Sequence, residues 1–343
     1  MRYIAYNPLV YINTMDYKYF ATLFASVVIS SCCVYLLALL FRRLKFFCNA
    51  SGVPQAGGLA IGAVVCIGGL ILSLSFAVSS GFYKALIPSG LLTLCAGLWD
   101  DKYEFAAAGK IVTQLVAAAI LIALGVRTHI VFLNDLGNII VTVIWVLLIT
   151  NAFNLLDIMD GLCAAVTMSV AFGLLIVCIF NFDTQLSFLL AVLLGSIAGF
   201  LPFNLPPARL YLGNSGSHFL GFVLAAISMQ MSFASISNQT ALLSPVFIMG
   251  FPIFDTVFVS LMRLSNGRSA LKKSRDHLAL RFLKLGHSKL NALFFMTFGA
   301  LSFVVSGVVL SQVSSRAGVF LIAVVMSGGF VLARVMSKVS IDG

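Results

Sequence analysis

The feature that most constrains this chain is a series of long runs without a charged residue. The clearest runs cover residues 19–41, 56–83, 136–156, 161–182 and 290–315. Each reaches the roughly 20 residues that an α-helix needs to cross a bilayer. Only 9% of the residues are charged and 61% are hydrophobic, whereas a soluble domain carries about 25% charged residues. The sequence therefore predicts an all-α polytopic integral membrane protein.

Eleven membrane spans are predicted, near residues 19–41, 57–79, 83–99, 110–126, 137–156, 161–181, 185–203, 217–236, 241–262, 291–313 and 316–334. The first run is too long for the apolar core of a signal peptide, and no clear cleavage site follows it, so it is expected to be retained. No linker, low-complexity tract or internal repeat interrupts the pattern. Residues 1–343 are therefore interpreted as one integral membrane domain.

The basic residues predict the orientation of these spans. An odd number of spans places the two termini on opposite sides of the membrane. If the N-terminus is outside, all but five of the 21 Lys and Arg residues lie inside, the exceptions being Arg2, Lys18, Lys84, Arg127 and Arg316. Since inner loops are enriched in Lys and Arg, the N-terminus is predicted outside and the C-terminus in the cytoplasm. This bias explains most of the net charge of +10 without any nucleic-acid partner.

Most acidic residues then fall on the inner side, several of them at the ends of spans, among them Asp100, Asp101, Asp157, Asp160, Asp255 and Asp276. A charge at the centre of a membrane helix costs about 2.5–3.5 kcal/mol even on the lenient insertion scale, so such residues mark candidate sites. The alternative for any single acid is a helix end that has reached the headgroups. Several polar inner ends in one chain favour a functional site.

The segment "GLWDDKYEFAAAGKIVTQ" (97–114) joins the third and fourth predicted spans. Asp100 and Asp101 are adjacent, so on a helix they point about 100° apart. Two carboxylates there could hold a divalent cation, or one could act as a base beside it. Lys110 and Gln114 share one helix face and could contact a phosphate. The alternative is a solvated turn with a snorkelling lysine.

The segment "NAFNLLDIMDGL" (151–162) ends the fifth predicted span with two asparagines and two aspartates. Asn151, Asn154, Asp157 and Asp160 are neighbours pair by pair on a helix. A spacing of three drifts by about 60° per step, so they cannot all share one face unless the helix ends, as Gly161 permits. They are interpreted as a polar rim around a helix terminus. Carboxylate and amide oxygens are hard ligands that suit Mg²⁺.

Two further inner segments carry polar signals. In "FNLPPARLYLGNSGSHFLGF" (203–222), Gly213 and Gly216 form a turn before a span, and N–H groups at such a helix start can bind phosphate. In residues 263–289, eight Lys and Arg accompany His277, which follows Asp276. The alternatives are an ordinary tight loop and positive-inside charge that attracts anionic lipid.

Taken together, these segments resemble the polyprenyl-phosphate N-acetylhexosamine-1-phosphate transferase family (glycosyltransferase family 4). The resemblance is strongest over about residues 50–290 and includes, in order, "PQAGG" (54–58), the two segments at 97–114 and 151–162, "FNLPPARLYLGNSGS" (203–217), "FPIFDTVFVSLMR" (251–263) and "DHLALR" (276–281). It implies ten or eleven spans with catalytic loops on the cytoplasmic side of the bacterial inner membrane. It also implies transfer of a sugar 1-phosphate from a UDP-sugar to undecaprenyl or another polyprenyl phosphate, which releases UMP and begins a lipid-linked envelope glycan.

The resemblance also implies roles for individual residues. Catalytic roles fall on Asp100, Asp101 and His277; substrate contacts fall on Lys110, Asn151, Asp157, Asp160, Asn204 and Arg281; metal ligands are Asp101, Asn154 and Asn214. The implied cofactor is Mg²⁺, with Mn²⁺ as a substitute. The family's muramoyl-pentapeptide branch has consecutive histidines that this chain lacks, so a UDP-N-acetylhexosamine of the N-acetylglucosamine type is the expected donor. A homodimer is left open.

Two of the chain's departures from the family pattern fall at chemical positions, and a third replaces the usual glycine or asparagine by Ile158. Asn214 stands where the family usually has an aspartate that ligates Mg²⁺, and Ala279 and Leu280 stand where a further histidine is common. An amide oxygen can still bind a metal but adds no negative charge. The leading hypothesis is an active transferase, and the alternative is a weakened or inactive member that binds UDP-sugar or lipid phosphate. A transporter ranks last, because transporter sites usually lie near the bilayer midplane in repeated halves.

Overall fold

The computed structural model describes residues 8–44, 47–48, 52–76, 80–233, 238–267 and 276–339. Within these ranges the chain is helical and contains no strand. The helices are α1 (Pro8–Leu44), α2 (Gly57–Ser75), α3 (Ser80–Tyr103), α4 (Ala107–Ala123), α5 (Asp135–Leu156), α6 (Leu162–Phe180), α7 (Thr184–Asn204), α8 (Gly213–Gln230), α9 (Ser244–Ile248), α10 (Gly250–Ser265), α11 (Leu278–Lys284), α12 (Lys289–Gln312) and α13 (Ser315–Ser337). A 3₁₀ turn, Gln239–Leu243, leads into α9. The prediction of an all-α polytopic membrane protein is confirmed.

Every predicted span overlaps at least one helix, although the ends at 77–79 and 234–236 lie outside the described residues. Not every helix is long and apolar enough by itself to cross a membrane. In the described part of the chain, eight helices pass that test: α1, α2, α3, α5, α6, α7, α12 and α13. The segments Gln239–Ile248 and Gly250–Ser265 meet at a 69° bend and make a ninth if they form one broken span. The apolar helix α4 has 17 residues, and α8 begins with a polar turn. The eleven crossings and their orientation stay predictions.

Several charges that define the predicted orientation lie outside the described residues. They are Arg2, Lys45, Arg268, Lys272, Lys273, Arg275 and Asp342. The central part of the basic segment 263–289 is among them, so only its two ends can be placed.

Helix α8 forms the centre of the bundle. Its residues Phe219, Leu220, Phe222 and Val223 are all at most 1% exposed. It packs mainly against α3 and α5, and also against α2. By contrast, only Gly318 and Met336 are buried along α13, which presents its apolar side chains outward as a lipid-facing helix does. The polar start of α8 is therefore held inside the protein.

A glycine allows the backbones of α3 and α8 to touch. A Cβ built on Gly97 would lie 2.5 Å from the Cα of Ser215 and 2.7 Å from the carbonyl oxygen of Asn214. No side chain fits there without moving one of the two helices. The close approach brings the last turn of α3, with Asp100 and Asp101, to the start of α8.

We therefore expect Gly97→Ala to destabilise the protein by about 1–3 kcal/mol, because the added methyl group overpacks a backbone contact. Gly81→Ala is the matched control in the same helix, since a Cβ there meets nothing within 4 Å. It should be neutral or stabilise by about 0.5–1 kcal/mol. Thermal unfolding of the purified variants in detergent measures both. A Gly97→Ala protein that melts at or above the native temperature would contradict the close approach.

Candidate active site

The carboxylate of Asp101 binds the first turn of α8. Its two oxygens accept the backbone N–H groups of Asn214, at 2.7 Å, and Ser215, at 3.1 Å. A negative charge is stabilised there by the unpaired N–H groups and by the positive end of the helix dipole. Gly213 precedes them with φ +78°, and a Cβ on it would lie 2.7 Å from Asp101 Oδ2. The turn thus requires glycine both for its backbone conformation and for room beside the carboxylate.

The two hydrogen bonds between Asp101 and the start of α8 correct one expectation from the sequence. The N–H groups at the start of α8 were expected to be free for phosphate, but those of Asn214 and Ser215 are already bonded to Asp101. A phosphate at this turn would have to compete with a carboxylate from the protein itself.

The two asparagines that were predicted as metal ligands contact each other. Asn154, in the last turn of α5, donates from Nδ2 to Asn214 Oδ1 and to Ser217 Oγ, each at 3.0 Å. The bond uses one of the two lone pairs on Asn214 Oδ1 and leaves the other. The pair fixes the end of α5 against the start of α8.

Asn214 and Asp101 border a polar cavity of about 320 Å³. It is lined by Gln55, Asp101, Asp157, Ile158, Met159, Asp160, Asn204, Tyr211, Gly213 and Asn214. Three carboxylates and three side-chain amides therefore face one space. Its volume is at the lower end of the range of about 300–1,000 Å³ that is typical of small-molecule sites.

Asn204 and Asp160 connect the loops around this cavity. Asn204, which is buried, accepts the N–H of Gly161 at 3.0 Å and donates to the carbonyl of Leu210 at 2.9 Å. Asp160 Oδ2 accepts the N–H of Ala208 at 3.3 Å and lies 3.7 Å from the Nζ of the exposed Lys289. The structure thus places Asn204 in the cavity wall with both ends of its amide bonded to the backbone.

Asp157 is the carboxylate of this cavity that makes the fewest polar contacts with the described residues. It follows α5 directly, and its side chain has no hydrogen bond or ion pair within the described residues. Burial, with smaller contributions from the negative charges of Asp101 and Asp160, raises its pKa to about 7. At neutral pH this carboxyl is poised between its two protonation states, and a cation placed beside it would favour the ionised form.

Asp100 points away from the large cavity into a second cluster. It accepts the N–H of Phe105 at 2.6 Å and lies 2.5 Å from Lys110 Nζ. Lys110, Gln114 and Asp100 line a small cavity of about 10 Å³. Asn151 donates to Gln114 Oε1 at 2.8 Å, so it joins this cluster and not the first.

His218 also lines the small cavity, although it is not among the site residues predicted from the sequence. It is 6% exposed, and its Nε2 has no hydrogen-bond partner among the described residues. The available signal was its position four residues after Asn214, on the same face of α8. Gln55 and Tyr211, which line the large cavity, were likewise not selected.

His277 and Arg281 form a third cluster. The Nδ1 of His277 lies 3.0 Å from Asp255 Oδ2, and the N–H of Leu278 donates to Asp255 Oδ1 at 3.2 Å. Both His277 and Arg281 are 2% exposed, and neither lines the two cavities described above. Asp255 had been noted as an inner acid but not as a partner of His277, and only the distant motif at 251–263 hinted at it.

The donors around the large cavity fit Mg²⁺ by chemical type. Asp101 and Asp157 offer carboxylate oxygens and Asn214 an amide oxygen, whereas Asn154, which was predicted as a ligand, does not line the cavity and contacts it through its bond to Asn214. Among the described residues no three His, Cys, Asp or Glu side chains form a preassembled metal site. Mg²⁺ does not require one, because it usually binds through one or two carboxylates, water and substrate phosphates.

Comparison with known proteins finds one matching family and several relatives. The model of glycosyl transferase family 4 matches residues 83–232. The chain is 30% identical over 319 residues to the decaprenyl-phosphate N-acetylglucosaminephosphotransferase of Mycobacterium leprae, covering 82% of this chain and 79% of the relative. It is 28% identical over 301 residues to the probable undecaprenyl-phosphate N-acetylglucosaminyl 1-phosphate transferase of Bacillus subtilis, covering 84% and 82%. The corresponding values for the undecaprenyl-phosphate alpha-N-acetylglucosaminyl 1-phosphate transferase of Thermotoga maritima are 32% over 238 residues, 67% and 67%.

The pKa of Asp157 predicts a pH dependence of stability. Because its pKa is raised on folding to about 7, from about 3.9 for an unperturbed aspartate, its contribution to stability is complete below pH 4 and is lost as the pH rises through 7. Without divalent cations, the melting temperature of the native protein should therefore fall relative to Asp157→Asn over this interval. Asp135→Asn, at a carboxylate that is 86% exposed, is the control. A difference between native protein and Asp157→Asn that does not change with pH would refute the assignment.

Proposed function

The chain belongs to glycosyl transferase family 4, and on that premise we propose that it transfers N-acetylglucosamine 1-phosphate from a UDP-sugar to a polyprenyl phosphate and releases UMP. The names of the relatives in Mycobacterium leprae and Thermotoga maritima supply the polyprenyl-phosphate acceptor and the sugar phosphate. The cavity at the meeting point of α3, α5 and α8 supplies the chemical support, since its acids and amides suit a diphosphate with its metal.

We place this cavity at the cytoplasmic face of a bacterial inner membrane. With the N-terminus outside, the ends of α3 and α5 and the start of α8 would all lie on the inner side. The basic residues favour that orientation by the positive-inside rule. A soluble UDP-sugar would then reach the cavity from the cytoplasm, and the lipid phosphate from the inner leaflet.

Asp101, Asn154 and Asn214 are the residues proposed to hold Mg²⁺, for which Mn²⁺ could substitute, with Asp157 as a further carboxylate of the same cavity. The ion would neutralise charge on the diphosphate. Asp101 is held in place by its two bonds to α8, so its remaining lone pairs have a fixed direction. Asp157 and Asp160 face the same space and would position the nucleotide and sugar.

In the proposed reaction, an oxygen of the lipid phosphate attacks the phosphorus that carries the sugar, and the bond from that phosphorus to UMP breaks. A route through a covalent enzyme intermediate is equally compatible with these residues. Lys110 is proposed to contact a phosphate. To do so, its ammonium group would move partly away from its ion pair with Asp100. His277, held by Asp255, is proposed as a further catalytic group.

The direct test is UMP release by the purified protein given UDP-N-acetylglucosamine, undecaprenyl phosphate and Mg²⁺. We expect metal-dependent release, and Asp101→Ala should lower it by about 100-fold or more, because it removes a ligand and frees the start of α8. Asp135→Ala should leave release unchanged, since that residue is exposed and pairs only with Arg127 among the described residues. Failure of the native protein with several UDP-sugars would argue against the proposal.

Asn214→Asp separates an active enzyme from a weakened relative. The new carboxylate can accept the same hydrogen bond from Asn154 and adds one negative charge beside the proposed metal. We expect the Mg²⁺ concentration for half-maximal activity to fall by about tenfold. A silent native protein and an active Asn214→Asp variant would identify the alternative, a family member disabled at its metal site. Protection of the native protein from heat by UDP-N-acetylglucosamine would then show that binding is retained.

A further inference from the structure

Arg281 directs its guanidinium group to the end of α13. Its Nη1 donates to the carbonyl oxygens of Met336, at 2.8 Å, and Val339, at 2.5 Å. Its Nε donates to the carbonyl of Asp276 at 3.3 Å, and its Nη2 lies 3.5 Å from Asp276 Oδ1. The guanidinium carbon lies 5.1 Å from the ring centroid of Phe258. All three nitrogens therefore have partners within the protein.

This arrangement leaves little of Arg281 for a substrate. Arginine has five N–H donors in a rigid fork, and at 2% exposure it could turn toward a ligand only by giving up bonds to carbonyl oxygens. A buried charge that loses its partners is strongly destabilising. The geometry thus disfavours the substrate contact that family resemblance implies for Arg281.

The end of α13 depends on this contact. The last carbonyl groups of a helix have no partner within it, and a cation there also interacts favourably with the helix dipole. Met336 is the buried residue at this end of α13, and its carbonyl, which also accepts the N–H of Val339 at 3.1 Å, is one of the two that Arg281 binds. Near this end the partly buried Leu332 and Ala333 pack against the core, while most of the rest of the helix is exposed, so Arg281 adds the polar contact that fixes the terminus.

The same side chain lies one turn from His277. The backbone N–H of Arg281 donates to the carbonyl of His277 at 3.2 Å, and this bond forms the first turn of α11. Asp255 of α10 holds the imidazole from the other side at 3.0 Å. The short segment 276–281 is therefore fixed by α10 at its histidine and by α13 at its arginine.

We propose that Arg281 is a positioning residue that locks the end of α13 onto the segment carrying His277, so that the placement of His277 depends on this lock. The part of the proposal that concerns catalysis rests on the proposed function, in which His277 takes part. The lock itself is a property of the fold and can be measured without activity.

The experiment compares Arg281→Gln with the native protein by hydrogen–deuterium exchange of the full-length chain in detergent. We expect faster exchange in two segments, 276–284 and 330–339. Arg334→Gln is the matched control, because it removes the same charge from an exposed position in the last turn of α13. It should leave both segments unchanged. Unchanged exchange at 330–339 in Arg281→Gln would overturn the lock.

Kinetics of UMP release test the consequence for His277. In Arg281→Gln we expect kcat to fall by about 10- to 100-fold, as misplacement of a catalytic group does, while KM for the UDP-sugar stays within about twofold. A rise in KM with an unchanged kcat would instead make Arg281 a substrate contact. If the native protein releases no UMP, the proposed function fails, but the exchange comparison still decides the lock.

Two further variants keep the test valid if Arg281→Gln does not fold. Arg281→Gln combined with Asp276→Asn removes both charges of this buried ion pair together and should fold while still showing fast exchange at 330–339. Arg281→Lys keeps the charge but loses the fork, so it should show intermediate exchange and intermediate kcat. A double variant with native exchange would overturn the lock, as would a lysine variant with native exchange and native kcat.

Discussion

The bond between the Asp101 carboxylate and the start of α8 is the contact on which the rest of the site depends. It ties the end of α3 to the most buried helix of the bundle, and it does so with a charge placed where unpaired N–H groups attract it. Gly97 and Gly213 provide the room that this contact needs. Once α8 is fixed in this way, Asn214 and Ser217 meet Asn154, and the end of α5 closes the cavity.

Water is scarce inside a membrane protein, and this explains why the carboxylates and amides of the cavity differ in how many hydrogen bonds they make to the protein. An unsatisfied buried polar group is costly, so most polar groups in the wall also hold the backbone. Asn204 bonds two loops, and Asp160 accepts a backbone N–H. The side chain of Asp157 makes no hydrogen bond to the backbone within the described residues, and burial raises its pKa. The residue that contributes least to the fold is therefore the one most available to a ligand.

Hydrophobic pattern predicted the helices well, because each apolar run has one stable solution in a bilayer. The adjacency of Asp100 and Asp101 on a helix also predicts that their side chains diverge, and in the structure they lie in different clusters. The partners of these residues were not predictable, since they come from helices far away in the chain. The grouping of Asn151 with Gln114, 37 positions earlier, and of Arg281 with Met336, 55 positions later, depends on packing that spacing does not encode. The segment 263–289 is predicted to be a basic loop, yet its two described ends bury Arg263, His277 and Arg281.

The departures from the family pattern separate what the fold requires from what the chemistry requires. At position 214 an aspartate or an asparagine can accept the N–H of Asn154, so the contact between α5 and α8 is indifferent to the exchange. Replacing aspartate by asparagine at position 214 changes the charge that faces the cavity and leaves this contact in place. Similarly, Ala279 is fully buried between His277 and Arg281, and the bonds of both neighbours remain intact around it. Either residue type thus preserves the scaffold at these positions, so their effect on the reaction would come through the charges and titratable groups that they carry.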